Sequence, residues 1–370
     1  MTAAEEAGLR YIGSGVSGGE TGARFGPSIM PGGSADAWEH VRPMLQAISA
    51  KAGPNNDEPC CDWIGLGGSG HYVKMVHNGI EYGDMQVLSE AWVTLAALGQ
   101  STDELQVTFA SWNEGRLKSY LVEITADILS ERDEDGTPML DVILDAAGQK
   151  GTGKWTVISA MELGQPLMLV AEAVGGRMLS SFVELRRKAS EILTGPDTSS
   201  LEGITVSDVE DAVYASKLIS YAQGFMLLKE ASIENEWNIN LASVAKMWRG
   251  GCIIRATFLD DIAAAFSSDE DLENLLFDEF FTNAVSQAEG GLRRTVMACA
   301  AAGVAIPAYA SALAFYDGMR TARGSASLIQ AQRDYFGAHT YERVDRPRGE
   351  WFHTDWAETG GSATSGSYSA

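Results

Sequence analysis

Four polar residues at helical spacing suggest an acid–base centre in this chain. His77, Asn78 and Glu81 follow Lys74 by three, four and seven residues. Side chains at these spacings project from one side of an α-helix within two turns. The face would combine a base, two hydrogen-bonding groups and an acid, which is the set that proton transfer on a small molecule requires.

The surrounding sequence predicts that this helix, from residue 71 to about residue 98, is buried. Apolar residues occupy nearly its whole circumference: Val73, Val76, Ile80, Met85, Leu88, Trp92 and Leu95. Burial would lower the pKa of Lys74, and a position in the first helical turn would act in the same direction. Burial would raise the pKa of Glu81 and make it a candidate proton donor. The alternative is a structural Lys–Glu pair with a capping histidine.

Three glycine-rich segments resemble phosphate-binding loops. Residues 13–18 match Gly-x-Gly-x-x-Gly but are expected to run into a loop, so no helix N-terminus is expected there. Residues 65–70 repeat the pattern and open the 71–98 helix, without the rest of a nucleotide-binding sheet. In residues 148–155, Trp155 stands where an NTP site needs Ser or Thr for magnesium. The two lysines and Thr152 of that segment suit a phosphate ester instead.

Composition and charge exclude several classes of partner and site. The 370 residues carry 27 Lys and Arg against 50 Asp and Glu, and the net charge of −23 repels nucleic acid and anionic membranes. The four cysteines and five histidines show no zinc-ligand spacing, so we expect neither a metal site nor a disulfide framework. Reduced thiols, the lack of a secretory signal and the lack of an apolar run of roughly 20 residues predict a soluble, cytoplasmic protein.

The chain is predicted to be mainly α-helical, with a small α/β segment at its start. Residues 1–67 suggest a strand at 9–12, a helix at 38–48 and a strand at 60–64, which resembles the last part of a Rossmann-type domain. Residues 68–339 show helical periodicity throughout and are expected to form one all-helical domain.

Two further features concern the organisation of the helical domain and its tail. The segment from Trp112 to Leu117 recurs as the segment from Trp248 to Ile253, at an offset of 136 residues, which suggests a duplicated helical unit. Residues 340–370 form a tail that is poor in apolar residues and cannot fold alone. Its aromatic residues favour a tail that is pinned against another surface.

Six longer motifs extend through nearly the whole chain. They are GVSGGE at 15–20, MPGG at 30–33, VKMVHNGIEYGDMQ at 73–86, KGTGKWT at 150–156, WRGGCIIR at 248–255 and LIQAQRDYFGAHTY at 328–341. This set closely resembles the 6-phosphogluconate dehydrogenases, the decarboxylating NADP enzymes of the pentose phosphate pathway. The resemblance implies oxidative decarboxylation of 6-phospho-D-gluconate to ribulose 5-phosphate and CO₂, with reduction of NADP.

The same resemblance implies a role for each residue of the site. Lys74 would be the general base that takes the proton from the C3 hydroxyl, and Glu81 would be the acid that protonates C1 of the enediol after CO₂ leaves. No metal is implied, because the 3-keto intermediate is itself the electron sink. The implied substrate-binding residues are Ser17, Gly18, Gly19, His77, Asn78, Tyr82, Lys150, Thr152, Arg177, Arg333 and His339.

The resemblance also implies a homodimer with shared active sites. Arg333 and His339 would reach in from the other subunit, and the tail of residues 340–370 would thread through the partner. The tail would contribute NADP contacts through Ser365, Gly366, Ser367 and Tyr368.

Two departures from the family pattern affect these expectations. Gly175 and Gly176 replace larger residues before Arg177, and their backbone freedom would loosen a phosphate ligand. Most of the N-terminal NADP-binding Rossmann domain is expected to be missing, and the main NADP site with it. Two alternatives therefore stay open: a truncated, catalytically impaired subunit that only dimerises or binds, and an unrelated β-hydroxyacid dehydrogenase, which would have no reason to keep the phosphate set at Lys150, Arg177 and Arg333.

Overall fold

The structure is a computed structural model of the chain that describes residues 2–199 and 201–357. The chain divides into two compact units, residues 1–314 and residues 315–370. Each unit is described by itself below.

The N-terminal part of the first unit is a small α/β layer. Strand β1 (Ile12–Ser17) pairs antiparallel with strand β2 (Ser28–Gly33), with Ile12 opposite Gly33 and Ser17 opposite Ser28. The remaining elements of this part are α1 (Thr2–Glu6), α2 (Gly19–Phe25), α3 (Ala35–Ile48), β3 (Lys51–Ala52) and β4 (Glu58–Pro59). Trp38 of α3 packs with Ile29 and Cys61 in a small apolar core.

The strands lie elsewhere than the sequence predicted. The strand expected at residues 9–12 begins only at Ile12, and the strand expected at residues 60–64 is an extended segment that forms one parallel bridge, Cys61 to Ile29. Strand β2 was missed because Pro31 and two glycines resemble a turn, although all six of its residues are buried.

The segment after β1 is a helix, so the predicted loop at this position is wrong. Helix α2 covers seven residues, and an ion pair between Glu20 and Arg24 (2.9 Å) supports it. Gly18 and Gly19 adopt φ values of 120° and 59°, which turn the chain sharply from strand into helix. The glycine-rich sequence predicted a loop, whereas in the structure Gly18 and Gly19 form only a two-residue turn before the helix.

The rest of the first unit is helical, as the sequence predicted. Short bridges, such as the one from Ser119 to Ala256, are its only β pairing within the described residues. The helices are α4 (Ser69–Ala97), α5 (Thr102–Trp112), α6 (Tyr120–Ser130), α7 (Met139–Val142), α8 (Thr152–Glu162), α9 (Met168–Ser180), α10 (Val183–Ile192), α11 (Val206–Glu234), α12 (Leu241–Met247), α13 (Leu259–Ser268), α14 (Glu279–Ala302) and α15 (Pro307–Met319), with a 3₁₀ turn at Leu275–Phe277; the residues of α15 after 314 belong to the second unit.

Two 29-residue helices, α4 and α11, form the centre of this unit. Helix α4 packs against α11, α8 and α9, and also against both strands of the N-terminal sheet. Packing around most of this helix explains why its apolar residues occupy nearly the whole circumference, although Met85 is 40 % exposed. Helix α11 begins with a capping box, in which Thr205 and Asp208 each accept from the other's backbone N–H.

Glycine residues set the close approach of the sheet to α4. A Cβ atom on Gly15 would lie 2.3 Å from Lys74 Cβ, and one on Gly70 would lie 2.3 Å from the Met30 carbonyl oxygen. Neither position has room for a side chain. Gly13 is similarly close to His71, so the first Gly-x-Gly-x-x-Gly match places strand β1 against helix α4.

The second unit is built around one buried carboxylate. Helix α16 (Ala326–Gly337) precedes a short hairpin of β5 (Tyr341–Glu342) and β6 (Trp351–Phe352). Asp334 is fully buried and accepts hydrogen bonds from the groups that follow it: the backbone N–H of Thr340 and Thr354, His353 Nδ1 and Trp356 Nε1. These bonds pin the start of the tail to α16.

Within the described residues, no helix is long and apolar enough to cross a membrane. The cysteines Cys60, Cys61, Cys252 and Cys299 are all buried, and none forms a disulfide. Burial raises the pKa of Cys61 and of Cys252 to about 12, so both thiols are protonated at neutral pH.

Candidate functional site

The predicted acid–base face exists on α4 and is tightly hydrogen-bonded. Lys74 Nζ lies 3.0 Å from His77 Nδ1 and donates to Asn78 Oδ1. Asn78 Nδ2 in turn donates to Thr152 Oγ1 (3.1 Å), the first residue of α8. Lys74 is therefore held in one position by residues of its own helix and, through Asn78, by α8.

His77 is a neutral hydrogen-bonding residue beneath the site. It is fully buried, and its ring meets the edge of the Trp248 ring at a centroid distance of 5.5 Å. Burial and the charge of Lys74 hold the pKa of His77 well below its usual range. When Lys74 is protonated and donates to Nδ1, the proton of the neutral ring sits on Nε2, which then donates to Ser17 Oγ (3.1 Å).

The two candidate proton-transfer groups have opposite pKa shifts with one main cause. Burial lowers the pKa of Lys74, partly opposed by the charge of Glu81. Burial also raises the pKa of Glu81, opposed by the charges of Lys74 and Arg177. Both directions agree with the sequence-based expectation. Because α4 begins at Ser69, however, Lys74 lies in the second turn and not the first, where the helix dipole acts less.

Helices α8 and α9 close the other side of the site. Gly151 adopts a left-handed conformation (φ 96°) directly before α8, whose N-terminus then faces the site at Thr152. A Cβ on Gly153 would lie 2.6 Å from the Tyr82 ring, so α8 approaches α4 closely. The guanidinium of Arg177 on α9 stacks over the same ring, 3.6 Å from its centroid. Tyr82 thus orients Arg177.

These groups surround a cavity of about 700 Å³. Ten of the thirteen residues assigned to the site from the sequence line it: Ser17, Gly18, Gly19, Lys74, Asn78, Glu81, Tyr82, Lys150, Thr152 and Arg177. Three of these are basic and one is acidic, so the cavity favours an anionic ligand in a strongly acidic protein. His77 does not line the cavity but is hydrogen-bonded to Ser17 and Lys74, which do.

Four residues of the lining lie in motifs noted above but were given no site role from the sequence. Ile253 is an apolar wall, and Val16, Gly148 and Gln149 complete the rim. The recurrence of the Trp112 segment at Trp248–Ile253 was the available signal for Ile253, but it indicated duplication and not a ligand.

Arg333 and His339 belong to the second unit. Arg333 lies on α16 and donates to Gln330 Oε1 (2.9 Å), and the ring of His339, which follows α16, meets the Phe336 ring at 6.0 Å. The tail residues Ser365, Gly366, Ser367 and Tyr368 lie outside the described residues. Both sets remain predictions.

Comparison with known proteins gives matches along almost the whole chain. Residues 70–356 match the family described as 6-phosphogluconate dehydrogenase, C-terminal domain, and residues 1–65 match the NAD binding domain of 6-phosphogluconate dehydrogenase. The second match shows that residues 1–65 correspond to a segment of the NAD binding domain. The expectation that most of this domain is missing therefore does not apply to these residues. The chain covers 75 % of the length of similar curated relatives.

These relatives are decarboxylating 6-phosphogluconate dehydrogenases. The Dictyostelium discoideum protein is 54 % identical over 372 residues, and the human protein is 53 % identical over 367 residues; each alignment covers 98 % of this chain. A solved structure of the Plasmodium falciparum enzyme, whose description includes complexes with NADP⁺ and with 6-phosphogluconate, is similar with a TM-score of 0.89. That similarity extends over 96 % of this chain and 76 % of the other, at 44 % sequence identity.

Proposed function

This chain belongs to the 6-phosphogluconate dehydrogenase family, and we propose from this premise how its cavity binds and converts the sugar acid. The function is the NADP-dependent oxidative decarboxylation of 6-phosphogluconate in the pentose phosphate pathway, and the protein is an oxidoreductase. The observation that carries the assignment of roles is the convergence of ten of the thirteen expected site residues on one cavity.

Lys74 is proposed as the general base and Glu81 as the general acid. A lysine with a lowered pKa becomes neutral at a lower pH than an exposed lysine, and the neutral amine can take the C3 hydroxyl proton of the substrate. A carboxyl group with a raised pKa retains a proton that it can give to C1 after CO₂ leaves. The two groups lie seven residues, or two turns, apart on α4, so a short sugar acid fits between them.

The other cavity residues are proposed to hold the two ends of the substrate. Ser17, Gly18 and Gly19, together with His77 and Asn78, would bind the carboxylate and the hydroxyl groups. The phosphate would be bound by Tyr82, Lys150, Thr152 and Arg177. Arg333 and His339 would be contributed by the other chain of the proposed homodimer. The α8 N-terminus at Thr152 and the two cations support a phosphate at that end of the cavity.

NADP, when bound, supplies the hydride acceptor for C3 of the substrate. The described residues do not form a dinucleotide platform: their only N-terminal sheet pairing of more than two residues is β1 with β2, antiparallel, and the glycines of β1 pack against α4. The predicted contacts from Ser365 to Tyr368 are retained as a proposal. No group of three or more His, Cys, Asp or Glu is placed to hold a metal ion within the described residues.

A homodimer is proposed as the assembly. Large apolar side chains are exposed along α9 and α10, including Leu179 (58 %), Phe182 (54 %), Leu185 (62 %) and Ile192 (63 %). On α16 of the second unit, Phe336 is 73 % exposed. Surfaces of this kind favour burial against another protein chain. Multi-angle light scattering should give twice the monomer mass, and Phe182→Asp should shift the mass toward the monomer.

The domain limits are proposed as residues 1–67, 68–339 and 340–370, with an internal duplication in the second. The duplication is supported by the pairing of equivalent segments: Tyr120 N–H donates to the Arg255 carbonyl and Thr257 N–H to the Lys118 carbonyl. Each pair of partners is separated by 135 to 139 residues, close to the sequence offset of 136. A reducing, cytoplasmic location is proposed because all four cysteines are buried thiols.

The test is NADPH formation from 6-phosphogluconate and NADP, followed by absorbance. Lys74→Met and Glu81→Gln should each lower kcat by roughly 10²- to 10⁴-fold while substrate binding, measured by calorimetry, is largely kept. Wild-type turnover in both variants would refute the assigned roles.

The second candidate is a subunit that binds the sugar acid without turnover. It is supported by the limited sheet of the described N-terminal residues. The same calorimetry separates the two, since this candidate predicts binding of 6-phosphogluconate with no NADPH formed.

A further inference from the structure

A buried ion pair lies between the two central helices, next to the proposed acid. Lys217 Nζ on α11 is 2.7 Å from Asp84 Oδ2 on α4, and the two side chains are 0 % and 1 % exposed. Asp84 follows Glu81 by three residues, so the two carboxyl groups are neighbours along one side of α4. Neither Asp84 nor Lys217 lines the cavity.

Stability alone does not account for such a pair. Taking two charges out of water costs about as much as their attraction returns, so a buried pair adds little net stability. Removing one partner is costly, because it leaves the other charge buried and unpaired. The pair therefore fixes where α4 and α11 meet more than it strengthens their contact.

The pair is connected to the cavity wall through Tyr221. This tyrosine is fully buried on α11, its hydroxyl donates to the Ile254 carbonyl (2.7 Å), and the same oxygen lies 3.3 Å from Asp84 Oδ2. Ile253, the preceding residue, is the apolar wall of the cavity. The contacts of Tyr221 thus join α4, which carries the proposed acid, to the segment that contains Ile253.

We propose that Asp84, held by Lys217 and Tyr221, is a positioning residue that acts on the acid Glu81 from one helical turn away and fixes the cavity wall at Ile253. The inference rests on the proposed role of Glu81. It adds an electrostatic element outside the cavity and a mechanical link between helices α4 and α11.

The charges around Glu81 are consistent with this role. Asp84 adds to the effect of burial in raising the pKa of Glu81, whereas the charges of Lys74 and Arg177 lower it. The titratable groups that face Glu81 are Lys74, His77 and Asp84 on α4, Arg177 on α9 and Tyr221 on α11. Asp84 is the only carboxyl group among these neighbours, and its negative charge opposes the ionisation of Glu81.

The ionisation of Glu81 tests the electrostatic part directly and without turnover. In protein labelled with ¹³C at the glutamate carboxyl carbons, the Glu81 signal is assigned by its loss in Glu81→Gln. Asp84→Asn should move the NMR titration midpoint of Glu81 to lower pH by roughly one unit. An unchanged midpoint overturns the proposal.

Two further variants control this measurement. Asp208→Asn removes an acid of α11, which pairs with Arg294 at 2.6 Å, and should leave the Glu81 midpoint unchanged. If Asp84→Asn alone does not fold, Asp84→Asn with Lys217→Met removes both charges together and should still move the midpoint to lower pH, because Asp84 is one turn from Glu81 on the same helix whereas Lys217 is on α11. A wild-type midpoint in that double variant counts against Asp84.

The mechanical link is tested by Tyr221→Phe. It should weaken 6-phosphogluconate binding by roughly two- to tenfold in calorimetry, since it removes one hydrogen bond to the wall segment. Tyr309→Phe is the matched control, because Tyr309 is equally buried and donates to the Val87 carbonyl (2.9 Å). Equal affinities in the two variants overturn the link. Activity of Glu81→Gln reports separately on the proposed function, because the NMR midpoint in Asp84→Asn does not depend on catalysis.

Discussion

Replacing Gly15 by alanine should push strand β1 away from the helix that carries the proposed base. The added Cβ would lie 2.3 Å from Lys74 Cβ, 2.7 Å from the Gly70 carbonyl oxygen and 3.0 Å from Lys74 Cγ. Two of these atoms belong to the start of the lysine side chain and one to the backbone, so no flexible chain end can move aside. The backbone at Gly15 has a negative φ that alanine can adopt, and the clash is therefore purely steric.

The size of the effect follows from the distances. Ordinary van der Waals contact begins at 3.4 Å, so relief of the 2.3 Å contact requires the strand and helix to separate by about 1.1 Å. Overpacking of this kind costs roughly 1–3 kcal/mol of stability. A displacement of about 1 Å in a group that takes part in the reaction costs roughly 100-fold in rate. We expect losses of both kinds in Gly15→Ala.

The melting temperature and kcat/KM for NADP reduction measure the two losses, and calorimetry with 6-phosphogluconate reports on the cavity itself. Gly175→Ala is the control, since it lies in α9 with no atom within 4 Å of the added Cβ. That variant should gain roughly 0.5–1 kcal/mol from helix propensity. If Gly15→Ala melts and binds substrate like the wild type, the close contact between β1 and α4 does not position Lys74.

Three other predictions concern charge. Activity should rise with pH as Lys74 loses its proton and fall again as Glu81 loses its own, and Lys74→Met should remove the rising limb; a flat pH–rate profile would exclude this pair. Burial raises the pKa of Glu90 from 4.5 to about 7, so its contribution to stability is full below pH 4.5 and is lost as pH rises to about 7, on the order of 3 kcal/mol. Urea unfolding as a function of pH should show this fall in the free energy of unfolding, and the fall should be smaller in Glu90→Gln. An equal dependence on pH in the two proteins would contradict the raised pKa of Glu90. Arg177→Lys keeps the charge but loses the stack on Tyr82, and should weaken 6-phosphogluconate binding roughly three- to thirtyfold by calorimetry; unchanged affinity would show that the stack does not matter.

Helical periodicity predicted the centre of the site well. The face formed by Lys74, His77, Asn78 and Glu81 depends only on spacing within one helix, and the structure places the start of that helix within two residues of the predicted position. The expected directions of the Lys74 and Glu81 pKa shifts followed from the apolar residues around them.

Helical periodicity could not predict contacts between segments that are distant in the sequence. The bond between Ser17 and His77 joins residues 60 apart, and the stack of Arg177 on Tyr82 joins residues still farther apart. The strand Ser28–Gly33 was hidden by proline and glycine, whose presence normally indicates a turn. In the structure Gly32 provides room for α4, because a side chain there would meet Gly70, a neighbour that is distant in the sequence.

The packing of α4 also determines which parts of the site can move. Most of its residues from Val73 to Leu95 are buried or half-buried, with Met85 and Ser89 exposed, so the amide hydrogens of this segment should exchange with solvent only when the whole unit unfolds. The residues before α8, from 141 to 150, are all exposed. Local opening that admits or releases a ligand is therefore expected in that segment, whereas the helix that carries the proposed acid and base stays closed throughout.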